Sequence, residues 1–306
     1  DYLAYTWASG ASVGGNSYTE PFEKLYGIGR YTTTNPNGIE SYRNMKADNI
    51  QKKVYDDSFS HNHDLSITGG TEKTKVLFAV NYTDEDGMKL ASYYKRANVS
   101  LKVNQKIAKN VDISLDTRYT NTKKMGDEGV RNGSGSVLSS SYRFRPIATE
   151  NILGDLNAMN EGMIENYAKQ SQWDRYNPVN RINDNYSPKD YQALRGILSL
   201  NWEIVKGLTY HSDLSLNQSW NQNKTWTGAI VNSYMDDNTG EILYAGNAEL
   251  EKSNKWGLRW SNTLNYDFSL GKAHRFSILA GHEVSDSGGD GLKASGTYYP
   301  ANFTKE

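Results

Sequence analysis

A period of two limits this chain more than any other feature. In ANVSLKVNQKIAKNVDISLDTRYT, residues 97 to 120, Ala97, Val99, Leu101 and Val103 share one parity, while Asn98, Ser100, Lys102 and Asn104 share the other. After a turn at 107 to 110, Val111, Ile113 and Leu115 oppose Asp112, Ser114, Asp116 and Arg118. Successive side chains of a strand point to opposite faces, so the spacing predicts a hairpin with one apolar and one wet face. The apolar face must touch either a second sheet, as in a soluble sandwich, or lipid.

The alternation recurs. Strands are expected at 61 to 68 and 75 to 83, with the turn GGTEKT between them. Further on, ALRGILSLNWE (193 to 203), LTYHSDLSLNQSW (208 to 220), KWGLRWSNTLNYDF (255 to 268) and HRFSILAGHEV (274 to 284) repeat the pattern. Residues 224 to 246 read as a hairpin turning at DDNTG, where Asn238 and Gly240 supply turn chemistry. Residues 1 to 60 read as loop with at most a weak strand or short helix, 121 to 192 as one very long loop, and the glycine-rich tail from Ser285 as loop again.

Composition enters only where it excludes something. Cysteine is absent from the 306 residues, which removes disulfides and thiolate metal sites. The formal net charge of -1 lacks the basic footprint of a nucleic-acid binder. No run of about eighteen apolar residues occurs, so no transmembrane helix is expected. The mean hydropathy of -0.75 does not argue against a membrane, because a β-barrel shows lipid only every second residue.

Two features favour a barrel over a sandwich. The connections alternate in length: short at 69 to 74, 107 to 110, 204 to 207 and 269 to 273, and long at 84 to 92, 121 to 192, 221 to 249 and 286 onward. Short turns on one side and long loops on the other describe an outer-membrane barrel. Aromatics also sit toward the ends of the apolar parity, with Trp202, Tyr266 and Phe268 by short turns and Trp256 and Trp260 toward the other end. That arrangement predicts interfacial girdles. The fold expected is all-β: an antiparallel up-and-down transmembrane barrel, with Val99 and Leu101 against lipid and Lys102 and Asp112 lining a hydrated interior.

Three blocks then resemble a known family. The block 61 to 116, with its HN, LSITGG, DEDG and YKR, the block YNPVNRIND…WNQNKTW (176 to 226), and WSNTLNYDFSLGKAHRFSILAGHEV (260 to 284) are similar, in this order, to the barrel of SusC/RagA-type TonB-linked outer-membrane transporters. The resemblance implies an arc of a large barrel of about 22 strands with a plugged lumen, in the middle of a considerably longer protein whose plug domain and TonB box are not matched here. It implies import of a nutrient, an oligosaccharide or a peptide, across the outer membrane. Its implied partners are a SusD-like surface lipoprotein over the mouth, TonB acting through the plug, and outer-membrane lipid. The rival classes are a soluble carbohydrate-binding or adhesin β-sandwich and a glycan-degrading β-enzyme.

Chemistry-bearing residues are sparse in the sequence. No nucleophile elbow, Ser-His-Asp order or carboxylate pair stands out, so no catalytic residue is assigned. No cofactor or metal is expected either. His61 and His63 share parity with Leu65 and Ile67 and read as interfacial. Asp236, Asp237, Asn238 and Glu241 lack EF-hand spacing and read as a hairpin tip. The glycines of 132 to 136 and 287 to 291 read as flexible loops, since no strand and helix flank them. The best candidate for substrate or partner contact is the loop set Trp173, Asp174, Arg175 and Tyr176. Its rings suit stacking on sugars and its charged groups suit hydroxyls, and self-packing of the loop is the competing reading.

Overall fold

Every alternating segment is a strand, and each pairs antiparallel with the next long strand along the chain. The computed structural model describes residues 49–126, 137, 141–142, 178–228, 234–235, 238–239, 241–243, 246–271 and 273–299. Its elements are α1 (Ile50–Val54), β1 (Ser60–Gly70), β2 (Thr74–Asp86), β3 (Tyr93–Ala108), β4 (Val111–Met125), α2 (Pro178–Asp184), β5 (Asn185–Tyr186), β6 (Lys189–Val205), β7 (Leu208–Thr227), β8 (Tyr234–Met235), β9 (Ile242–Leu243), β10 (Gly246–Leu270) and β11 (His274–Tyr299). The main sheet runs β1-β2-β3-β4-β6-β7-β10-β11, an unbroken meander that forms an open arc, with β5 pairing to β7.

Register carries the two-faced character across all eight long strands. Ile67 pairs with Phe78, Phe78 with Leu101, and Leu65 with Val80, which pairs with Val99. The band continues through Leu115 against Leu198, Leu198 against Leu214, Leu214 against Trp260, and Trp260 against Val284. Because side chains alternate, this register puts every one of these residues on one face. That face is open: Ile67 is 58% and Trp260 48% exposed, with no second sheet covering them among the described residues. A sandwich would bury this face, whereas a barrel wall presents it to lipid.

Polar side chains within the band are paired with one another. The Trp260 indole N–H donates to Ser212 Oγ at 3.0 Å, and the Tyr210 hydroxyl donates to Asn262 Oδ1 at 2.6 Å. In hydrocarbon no water can satisfy such groups, so polar residues on this face are found beside the aromatics that need them. Near the short-turn end, Tyr266, Phe268 and Phe276 stack with centroids 5.0 Å and 5.3 Å apart, forming one girdle.

Strand ends depart from the sequence reading in several places. The glycine-rich tail from Ser285, expected as loop, continues β11 to Tyr299, and the glycines at 287 to 291 lie inside it. The physical reason is the partner: β10 offers a ladder as far as Gly246, and glycine leaves room for its bulky residues. A Cβ on Gly288 would stand 3.0 Å from the Trp256 indole nitrogen, and one on Gly289 would stand 2.5 Å from the Asn254 carbonyl oxygen. The long connection also starts later and ends sooner than 121 to 192, since β4 reaches Met125 and β6 begins at Lys189. Beyond β7, β8 and β9 form a small separate hairpin with Asn238 and Thr239 in its turn. Within the first sixty residues α1 is a short helix, capped by the Asn49 side chain accepting from the Lys52 N–H at 3.2 Å.

The turns at 71 to 73, 109 to 110 and 206 to 207, and the ends of β10 and β11 at Leu270 and His274, all lie at one end of the sheet. Gly207 is required in its turn: its φ is +85°, and a Cβ there would meet the Asp267 carbonyl oxygen at 2.3 Å. Gly207 also accepts a hydrogen bond from the Asp267 N–H at 2.7 Å, which ties the turn to β10. Gly196, in mid-strand on the lipid face, has nothing within 4 Å of a Cβ. Gly207→Ala is therefore expected to cost about 1–3 kcal/mol and slow barrel assembly, and Gly196→Ala to be neutral or mildly stabilising. Denaturant titration of the two variants of the whole protein in lipid vesicles checks this.

Candidate functional site: the inner wall and the long-loop end

The face opposite the lipid band is a wet wall. Across β1 to β4 its side chains form a hydrogen-bonded ladder. Asn81 Nδ2 donates to Asn62 Oδ1 at 2.9 Å and to Asp64 Oδ1 at 2.7 Å. Asn98 Nδ2 donates to Asn81 Oδ1 at 3.1 Å, Thr120 Oγ1 to Asn98 Oδ1 at 2.8 Å, and Thr83 Oγ1 to Asn62 Oδ1 at 2.7 Å. Asparagine suits this position because it both donates and accepts, so one residue can link two strands. The ladder lines a depression of about 710 Å³ that Arg96 and Arg118 also border.

Charge is distributed along the wall in short pairs. Arg118 stands directly opposite Arg195 in register, and the two border a smaller hollow with Asp116 and Ile197. Like charges placed opposite each other repel, so this part of the wall favours an anionic group in front of it. Farther along, the His211 ring lies between Asn201 Oδ1 at 2.7 Å and Asp213 Oδ2 at 2.9 Å. Arg259 faces Glu283 at 3.5 Å. A surface of this kind holds water and offers graded polar contacts to a solute.

At the long-loop end, the loops have a core of their own. Val54 of α1, Val137 and Ile182 of α2 are buried together, with Tyr55 and Val179 packed against them. The α1 segment is bound to the β2–β3 connection, where the Leu90 N–H donates to the Val54 carbonyl at 2.8 Å and the Asp56 N–H to the Met88 carbonyl at 3.0 Å. The α2 segment is bound to the end of β7 through Gly228 N–H to Asp184 O at 2.8 Å. Burial pushes the Tyr55 hydroxyl above its ordinary pKa, with Tyr142 adding to the effect. Long connections that carry structure of this kind are characteristic of functional loops.

The wall also rises past the lipid band. β10 and β11 run 25 and 26 residues, more than twice the 9–11 or so that cross a bilayer. In the extension Lys293 Nζ lies 2.9 Å from Glu249 Oε1, and that hydrogen bond holds the Lys293 ammonium above the usual lysine range.

Of the residues singled out from the sequence, Trp173, Asp174, Arg175 and Tyr176 lie outside the described residues, as do Asp236, Asp237 and the glycines of 132 to 136. His61 and His63 are placed: their rings stand 5.0 Å apart, with Phe59 and Tyr82 against His61. The asparagine ladder and the opposed arginines were not singled out from the sequence. The wet parity was visible there, but which wet residues meet depends on register between strands.

An open arc with a continuous lipid-facing band and a hydrogen-bonded inner wall is a section of a transmembrane β-barrel. No family model matches the chain. TonB-dependent receptor P3 of Formosa agariphila is 24% identical over 259 residues, covering 82% of this chain and 24% of that protein. TonB-dependent receptor P39 of the same organism is 26% identical over 225 residues, covering 72% and 19%. Among solved structures, the RagAB peptide importer in its "closed-closed" state superposes with a TM-score of 0.64 at 15% identity, over 97% of this chain and 33% of that one. Its "open-open" state gives 0.65 at 16% identity, over 96% and 32%. The chain thus spans about a fifth to a quarter of the length of the curated relatives it matches. These likenesses agree with the resemblance to SusC/RagA-type TonB-dependent receptors stated from the sequence.

Two substitutions test the parts of the site separately. Asn81→Ala removes the donor that holds Asn62 and Asp64 and is expected to cost about 1–2 kcal/mol while leaving the barrel assembled; equilibrium unfolding in vesicles reads this. Ile182→Ala removes a core side chain of the loop cluster and is expected to cost that cluster about 2–5 kcal/mol. Limited proteolysis of the protein in lipid vesicles should then cut the long loops faster, with the β-strand circular dichroism unchanged.

Proposed function

We propose that this chain supplies one arc of the barrel of an outer-membrane receptor that imports a nutrient by TonB-dependent transport, and that it is not an enzyme. The observation that carries the reading is the eight-strand meander whose one face is apolar and open and whose other face is a hydrogen-bonded polar wall. The curated relatives named as TonB-dependent receptors support the transport class. In this reading the short turns are periplasmic and residues 1 to 60, 121 to 192, 224 to 246 and 286 to 306 belong to the extracellular side.

The cargo is an oligosaccharide or a peptide. Support for the peptide comes from the structural neighbour, which is a peptide importer. Support for the sugar comes from Trp173 and Tyr176, with Asp174 and Arg175 beside them, as stacking and hydroxyl-binding residues of the long loop. A SusD-like lipoprotein would close the mouth above the long loops, and TonB would act through a plug seated against the inner wall. The wall contributes amide and guanidinium groups that exchange hydrogen bonds with a passing solute, so that no single contact holds it too tightly to leave.

Epitope tags inserted into the whole receptor at 238–239 and at 109–110 test the orientation. The first is expected to bind antibody on intact cells and the second only after the outer membrane is opened. Cargo accumulation should disappear in cells lacking TonB. Labelling of both tags in a soluble fraction would put the sandwich binding module in place of the transporter.

A further inference from the structure

The lipid-facing parity takes on polar residues in the rows beyond Trp256. From Phe268 to Trp256 is twelve residues along β10. At about 3.4 Å per residue and a tilt near 40°, this rises roughly 30 Å, which already spans the apolar band of an outer-membrane barrel. Trp256 therefore stands at the outer interface, and the next rows stand in the headgroup zone.

Those rows lie in register and are mostly polar, with Trp220 and Leu292 as their apolar members. Asn121, Gln192, Trp220, Asn254 and Asp290 are neighbours across β4, β6, β7, β10 and β11. The row above them brings Asp190, Gln222 and Lys252 alongside one another. All of these side chains except Asn121 line a shallow depression of about 420 Å³ on the outward face, with Trp220 39% exposed in it. Its polar groups are held in place. Asn254 Nδ2 donates to Asp290 Oδ1 at 3.2 Å, Gln218 donates to Asn254, and Gln192 Oε1 accepts from the Tyr119 hydroxyl at 3.0 Å. The Gln192 amide N–H groups are thereby left to donate outward.

We infer that this outward patch is a saccharide-binding surface that takes the sugar headgroup of a glycolipid in the surrounding membrane leaflet. A flat indole flanked by amides and carboxylates matches a sugar ring: the ring's C–H face lies on Trp220, and its hydroxyls exchange hydrogen bonds with Gln192, Gln222, Asn254 and Asp290. The lining sets Asp190 and Asp290 against Lys252, so it is net acidic and suits the neutral hydroxyls of a sugar rather than a phosphate. The occupant is set by position. The patch continues the lipid-facing band without a break and lies on the opposite side of the sheet from the inner wall, so its natural neighbour is a membrane molecule and not the cargo. The inference rests on the outer-membrane placement proposed above but not on what is transported.

The test uses the whole receptor in nanodiscs of three kinds: phosphatidylcholine alone, phosphatidylcholine with glycolipid extracted from the native outer membrane, and phosphatidylcholine with only the water-soluble oligosaccharide released from that glycolipid. Titration is followed by tryptophan fluorescence and by Tm. The expected result is saturable binding of the intact glycolipid with a raised Tm, and about tenfold weaker binding in Trp220→Ala and in Gln222→Ala. Gln222→Ala should keep the wild-type Tm in phosphatidylcholine alone, which separates lost binding from lost folding. Equal glycolipid binding by wild type and both variants would overturn the inference, as would equally tight binding of the released oligosaccharide. Cargo uptake by the variants should match wild type, so failure of the transport reading would show in uptake and failure of this one only in the glycolipid titration.

Discussion

Backbone hydrogen bonding in a medium without water is the constraint on which everything else in this structure depends. A polar group left unpaired in hydrocarbon costs several kcal/mol, so a chain that crosses lipid as strands must pair each strand on both sides. The meander meets that requirement with long uninterrupted ladders, Asn247 to Tyr266 of β10 being paired to β7 and to β11 at once. Once the ladders are fixed, the pleat leaves only two destinations for side chains, and the sequence must sort its residues between them. The sorting of Leu, Val and Trp to one face and Asn, Asp and Arg to the other is a consequence of the pairing, not its cause.

The same constraint explains the exceptions. Ser212 and Asn262 look misplaced on the lipid face until the Trp260 and Tyr210 donors beside them are seen. On the inner face the problem is reversed, since water is available and pairing is optional. There the asparagines of the ladder give cross-strand links at modest net stabilisation, about 1 kcal/mol each. Their value is in fixing where amide groups point on the wet face.

Much of this architecture could be read from the chain because the period of two is a direct image of the pleat. All eight long strands were marked by it, and the alternation of short and long connections gave their order. Where side chains carry no contrast the image is lost: Ser285 to Gly291 alternates between serine, aspartate and glycine, so β11 was invisible there and depends on β10 for its conformation. The inner wall was legible only as wet. Asn81 and Asn98 are 17 residues apart in sequence and meet through register, as Thr120 meets Asn98 across 22. The residues of the loop set 173 to 176 stand in a segment with no periodicity at all, so residue chemistry was the only guide there.

One feature of the ladders bears on how such a wall can change over evolutionary time. The register shifts fall at strand ends, between Lys106 and Ala108, Glu203 and Val205, and Gly246 and Asn247. Elsewhere the pairings run without interruption, so inserting one residue in mid-strand would exchange inside for outside along everything beyond it. Mid-wall insertions and deletions are therefore admissible only in twos, whereas the ends absorb single steps and the long loops accept any number. Lineages of such proteins should thus diverge in length at the rim while the wall between changes by substitution alone.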